Sequence, residues 1–135
     1  MIKGLNHVAL KVLDIKKVAN FYIDVLGFTK VKEIYNEEGK IRLIVLSAME
    51  KVLLELFFFD DVNTQIGFVS SGYMHICFEV DDIFKVEKML EEKRVHFKQK
   101  IKRGKDGNYQ LFVVDPEGNE LEFVQKLISD KAEIN

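Results

Sequence analysis

The sequence has a single cysteine, Cys77, and therefore cannot form an internal disulfide; this fits a reducing compartment and sets the expectation of a cytoplasmic protein. Neither sign of charge dominates. Twenty Lys and Arg face 22 Asp and Glu, a formal net charge of −2, so there is no broad basic field for nucleic acid or anionic lipid. Unbroken apolar stretches run only a few residues, far short of the roughly 20 that a bilayer-spanning helix needs. The opening Met1-Ile2-Lys3-Gly4 lacks the basic-then-apolar plan of a signal peptide. The expectation is no nucleic-acid partner and no membrane partner. What is present is 135 residues, 47% apolar and 31% charged, enough for one compact domain or for two small modules sharing a core.

The chain repeats itself. His7-Val8-Ala9-Leu10-Lys11-Val12 matches His75-Ile76-Cys77-Phe78-Glu79-Val80 at an offset of 68 residues, and at that offset Asp14, Ile15 and Val18 fall on Asp82, Ile83 and Val86. Leu54-Glu55-Leu56-Phe57 matches Leu121-Glu122-Phe123-Val124 at an offset of 67. A duplicated unit is expected, filling a single domain over residues 1–126. Module one takes about residues 2–60 and module two about 72–126, with 127–135 a tail that is frayed or a short helix. The join falls in the polar stretch from Asp60 to Gly72.

Each copy reads as strand, helix, then further strands. Residues 5–12 alternate, with Val8, Leu10 and Val12 on one face and His7, Ala9 and Lys11 on the other. Asp14 is placed to cap a helix running to about Leu26, where Gly27 closes it. Val18, Phe21, Tyr22, Val25 and Leu26 form its apolar stripe. In copy two, Asp81 or Asp82 caps a helix carrying Val86, Met89 and Leu90. Strands follow at 41–47 and 52–59 around a turn from Ala48 to Lys51, and at 109–114 and 119–125 around Asp115-Pro116-Glu117-Gly118, which suits a type I turn. The fold class is α+β, two repeated βαβββ modules, each sheet covered on one face by its helix.

The strand faces away from the helices carry polar residues at repeat-equivalent positions: His7 and His75, Glu55 and Glu122. If the modules curl so that these faces meet, two imidazoles and two carboxylates converge in a trough lined by Phe57, Phe59, Cys77 and Val124. Two unpaired carboxylates so placed cost several kcal/mol each. A divalent cation removes that cost, and the neutral imidazoles complete a mixed N/O donor set. Four protein donors leave up to two open positions in an octahedral shell, and structural zinc usually closes its shell with thiolates, so the expected centre is catalytic.

The His7-Val8-Ala9-Leu10 strand, Asn20-Phe21-Tyr22 to Leu26-Gly27-Phe28, and the run from Asp115 to Glu122 resemble the glyoxalase / bleomycin-resistance / extradiol-dioxygenase superfamily, also called the vicinal oxygen chelate superfamily. The resemblance covers about residues 2–125 and is strongest to the glyoxalase I (lactoylglutathione lyase) group. It implies paired βαβββ units whose curved sheets enclose a metal-binding cleft, a small-molecule substrate bound through vicinal oxygens, and a homodimer. It also implies metal ligation by His7, Glu55, His75 and Glu122. A histidine at the first ligand position resembles the nickel- or cobalt-activated bacterial kind, with zinc, manganese or iron as further candidates. Two positions depart from that group. Lys11 stands where an arginine is common, and Phe59 where an asparagine follows the second ligand by four residues. Lysine keeps the charge but loses bidentate carboxylate recognition, and phenylalanine offers no hydrogen bond, so both departures weigh against glutathione as the thiol.

The expected chemistry is conversion of a 2-oxoaldehyde hemithioacetal to a 2-hydroxyacyl thioester through an enediolate, with Glu122 as the base and Glu55 second. Lys11, Phe57, Phe59 and Cys77 are the candidate pocket residues. The alternatives are a coenzyme-A thioester epimerase and a metal-free, drug-binding dimer. Four ligands count against an extradiol dioxygenase. His96 is expected to be a surface or edge residue, and Lys102 to Gly107 a solvated hairpin loop.

Overall fold

The computed structural model describes residues 1, 3–58 and 73–127. The chain divides into two compact units, Met1–Val69 and Ser70–Asn135. In the first, β1 (Val8–Val12) leads into α1 (Ile15–Asn20), which continues as π-helical turns (Phe21–Val25), then β2 (Thr29–Tyr35), β3 (Ile41–Ala48) and β4 (Lys51–Phe58). In the second, β5 (His75–Glu79) leads into α2 (Ile83–Glu92), then β6 (Phe97–Arg103), β7 (Tyr109–Val114) and β8 (Glu120–Gln125). The sheet orders are β1-β4-β3-β2 and β5-β8-β7-β6. In both, the first strand runs parallel to the last while the remaining pairs are antiparallel. This is an α+β architecture of two βαβββ modules.

Local chemistry explains the helix ends. The Asp14 carboxylate accepts from the Lys17 backbone N–H at 3.2 Å, supplying one of the partners that the first helical turn lacks. In the second unit Asp82, rather than Asp81, accepts from the N–H groups of Phe84 and Lys85 at 3.1 and 3.2 Å. Gly27, at φ +79°, closes the first helix with its N–H on the Ile23 carbonyl at 3.1 Å. The β7–β8 turn forms as its sequence requires: the Gly118 N–H donates to the Asp115 carbonyl at 3.0 Å, with Pro116 at the second position. Ala48 pairs with Lys51 across a two-residue hairpin whose Met49 and Glu50 sit at φ +55° and +63°. That left-handed pair is the geometry that such tight hairpins demand.

In each unit the helix covers the apolar sheet face. Val12, Val18, Tyr22, Ile44, Leu54 and Leu56 are buried in the first, and Ile83, Leu90, Leu111, Val113 and Leu121 in the second. Each fully buried aliphatic side chain contributes about 1.5–3 kcal/mol. The apolar stripe of α2 is thinner than the sequence suggested, since Val86 and Met89 are only half-buried. Neither edge strand β2 nor β6 was delimited by the sequence pattern. Register shifts at Lys30/Lys32 and around Gln99 interrupt their alternation. The Asp60–Gly72 join, Phe59 and most of the tail lie outside the described residues. Among the described residues no helix is long and apolar enough to cross a membrane.

Candidate functional site

In the first unit, Ala9 stands across from Glu55 and Lys11 across from Phe57. His7 immediately precedes β1, and the period of two places it on that same face, away from α1. Its Nε2 lies 2.6 Å from Glu55 Oε2. Its Nδ1 donates to Asn6 Oδ1, also at 2.6 Å. Lys11 is exposed and Phe57 half-buried. On β3, Val45 stands across from Glu55 and is buried.

The second unit repeats the construction. Cys77 stands across from Glu122 and His75 across from Glu120. His75 Nε2 lies 3.2 Å from Glu122 Oε1. Phe112 occupies on β7 the place that Val45 occupies on β3, across from the glutamate, and its ring meets the His75 ring edge-on at 5.3 Å. Cys77 is exposed as a residue, yet its thiol is pushed up to about 12. Partial desolvation is the largest cause, followed by the hydrogen bond to Glu122 and that carboxylate's negative charge.

Each unit thus brings its own histidine and glutamate into contact on the sheet face opposite its helix. Lys11, Phe57 and Cys77 share those faces. Three neighbours escaped the sequence reading. Glu120, on the same face as Glu122 and ion-paired to Lys98, aligns with Leu53 and so had no acidic repeat partner. Phe112 was legible from its alignment with Val45. Asn6 carried no signal until its contact with His7 was visible. His96 is an exposed residue whose carbonyl accepts from the Val114 N–H at 3.1 Å. The loop from Arg103 to Asn108 is tied to itself by Gly104 N–H to Asn108 O at 2.8 Å and Arg103 Nε to Gly107 O at 2.9 Å, as a plain hairpin loop would be.

Among the described residues no three His, Cys, Asp or Glu side chains gather as a group that could hold an ion. Each unit brings two. The chemistry of those pairs fits a divalent cation. The N–O separations of 2.6 and 3.2 Å are hydrogen-bond distances, and each pair offers one imidazole nitrogen and one carboxylate oxygen, donors that a divalent cation takes. Glu55 and Glu122 retain only 20% and 15% of their side-chain exposure, so both carboxylates gain from a counter-charge. A cleft of about 630 Å³ lies elsewhere, lined by Asp14, Lys16, Glu33, Tyr35, Lys40 and Phe58. The ladders put Glu33 on the side of Ile44, Leu56 and Leu10, the helix side. The face chemistry, rather than this cleft, marks the candidate site.

Two βαβββ units, each presenting a histidine beside a glutamate on the sheet face away from its helix, define a class of duplicated α+β proteins. The sequence matches the Glyoxalase/Bleomycin resistance protein/Dioxygenase superfamily over residues 4–123, and the chain belongs to that superfamily. It is 28% identical to a lactoylglutathione lyase of Neisseria meningitidis, covering 93% of both chains. It is 32% identical to the mitochondrial methylmalonyl-CoA epimerase of Mus musculus, over 81% of this chain and 64% of the relative. Against the lactoylglutathione lyase of Schizosaccharomyces pombe, 29% identical, 90% of the chain is covered but it spans only about half, 47%, of that relative. Among solved structures, a glyoxalase family protein from Enterococcus faecalis superposes with a TM-score of 0.78 at 26% identity, covering 90% of this chain and 97% of that one.

Proposed function

We propose that the chain is a metal-dependent lyase or isomerase of the glyoxalase I kind, acting on the hemithioacetal of a 2-oxoaldehyde and yielding a 2-hydroxyacyl thioester through an enediolate. The observation that carries this reading is one construction made twice, His7 on Glu55 at 2.6 Å and His75 on Glu122 at 3.2 Å. In the proposal His7, Glu55, His75 and Glu122 are the metal donors, with a divalent cation, nickel or cobalt ahead of zinc, manganese and iron, as the cofactor. The cation supplies, when bound, the Lewis acidity that makes the C–H beside a carbonyl removable. Glu122 takes that proton and returns it to the neighbouring carbon, which balances the isomerisation without an oxidant. The contact from Glu122 to its histidine is the longer of the two, 3.2 against 2.6 Å, which favours it over Glu55 as the mobile base. Lys11 faces an anionic portion of the substrate, while Phe57 and Phe112 keep water from the reacting carbon. A cytoplasmic homodimer completes the proposal.

A second reading is supported by the methylmalonyl-CoA epimerase relative and by the departures at Lys11 and Phe59. A coenzyme-A thioester epimerase needs the same proton abstraction, with one carboxylate removing the α-proton and the other returning it. The test is a panel assay of nickel- and zinc-loaded protein against methylglyoxal hemithioacetals of several thiols and against an epimerisable coenzyme-A thioester. Turnover of a hemithioacetal supports the first reading, and proton exchange only with the thioester supports the second. Protein purified without chelators that holds no metal and turns over neither would instead be a binding dimer.

A further inference from the structure

We infer that Asn6 is the positioning residue for His7, holding its imidazole in the tautomer that presents Nε2 as a metal donor. The inference rests on the ligand assignment proposed above. A neutral imidazole carries one N–H. Asn6 Oδ1 can only accept, so its 2.6 Å contact with Nδ1 calls for the N–H there and leaves Nε2, 2.6 Å from Glu55 Oε2, as the nitrogen whose lone pair a cation would take. The Asn6 contact therefore fixes both the ring's orientation and the nitrogen left free to bind, as the outer hydrogen bond of a ligating histidine does.

The two halves of the chain differ at this point. The repeat partner of Asn6, at the offset of 68, is Met74, which is exposed and whose thioether is a weak acceptor. Among the described residues the His75 ring meets Glu122 and the edge of Phe112. One histidine is oriented by a hydrogen bond it donates to its predecessor, the other by an aromatic neighbour. The chemistry at the Asn6 position is thus a property of the first half alone, and it asks for a hydrogen-bond acceptor of that length.

The test is a chelator-competition titration with Ni²⁺ on the full chain. Asn6→Ala should weaken binding about 10–100-fold, the usual cost of losing an outer-shell partner. Asn6→Asp, which keeps an acceptor oxygen in place, should restore most of the affinity, and Met74→Ala should leave it unchanged. In ¹⁵N-labelled, zinc-loaded protein the His7 Nδ1 proton should be resolved in wild type and Asn6→Asp and lost to exchange in Asn6→Ala. Wild-type affinity in Asn6→Ala, or a His7 proton found on Nε2, overturns the inference while leaving the ligand assignment standing. Wild-type affinity in His7→Ala overturns the ligand assignment itself, so the two failures are distinct. Asn6 is exposed ahead of β1, and circular dichroism of each variant should match wild type.

Discussion

Phe112 stands directly across the β7–β8 ladder from Glu122, and its ring meets the imidazole of His75 edge-on with centroids 5.3 Å apart. One side chain therefore touches the histidine and flanks the carboxylate of the second pair. Its counterpart Val45 is too small to do both for the first. Phe112→Val, which copies the first unit into the second, should remove the ring contact and lower stability by about 1–3 kcal/mol. Urea denaturation should show a lower midpoint with an unchanged slope. An unchanged midpoint would mean that the ring contact contributes nothing.

The turn that feeds β8 has its own buried anchor. Asp115 is 3% exposed, and its carboxylate accepts from the Glu117 and Asn119 N–H groups at 2.9 and 3.0 Å and from the Asn119 amide at 2.8 Å. Asp115→Ala should cost about 2–3 kcal/mol, since it strands donors beside a buried turn. Asp115→Asn keeps an acceptor and should lose less. Equal stability of the two variants in thermal or urea melts would refute this ordering.

Met49 and Glu50 both hold left-handed backbone, which costs a residue with a Cβ about 1–2 kcal/mol. Replacing the pair with Asn-Gly, the sequence such hairpins favour, should raise stability by about 1 kcal/mol or more. The site face lies on the strands, so metal affinity should not move. A destabilised double variant in a calorimetric scan would contradict the assignment of strain.

Much of this was legible because the determinants are local and periodic. Alternation placed His7, Lys11, Glu55 and Phe57 on one face. Asp14 and the Asp81-Asp82 pair announced their helices, and the repeat offset tied the two histidines to each other. The edge strands were not legible, because β2 and β6 bury little and their bulges break the period of two. The π-helical turns from Phe21 to Val25 were hidden for a different reason. Widening a helix by one residue leaves the apolar stripe of Phe21, Tyr22 and Val25 nearly intact. Glu120 and Asn6 escaped because the site was sought through repeat-equivalent pairs, and each has an apolar counterpart, Leu53 and Met74. Such residues show themselves only once side chains have neighbours.

The thiol should not be glutathione. Lys11 cannot grip a carboxylate bidentately, and the asparagine of the resembling enzymes is Phe59 here, a residue outside those described. Turnover with the glutathione hemithioacetal is expected to fall below that with another thiol or with a coenzyme-A thioester. A kcat/KM for glutathione above every other thiol tested would sink this expectation.

The two glutamates should separate on substitution. Glu122→Gln keeps an oxygen donor towards a cation but cannot take a proton as a carboxylate does. Metal should therefore remain bound, more weakly, while turnover drops about 10²–10⁴-fold, the range for a lost general base. Glu55→Gln should lose less, because Glu55 sits 2.6 Å from its histidine against 3.2 Å for Glu122 and acts chiefly as a held donor. Solvent deuterium reports the step itself: wild type should exchange the substrate C–H or incorporate label into product, and Glu122→Gln should not. Near-normal turnover in Glu122→Gln beside a dead Glu55→Gln would reverse the assignment. Loss of metal in both would show that the carboxylates matter as ligands before either acts as a base.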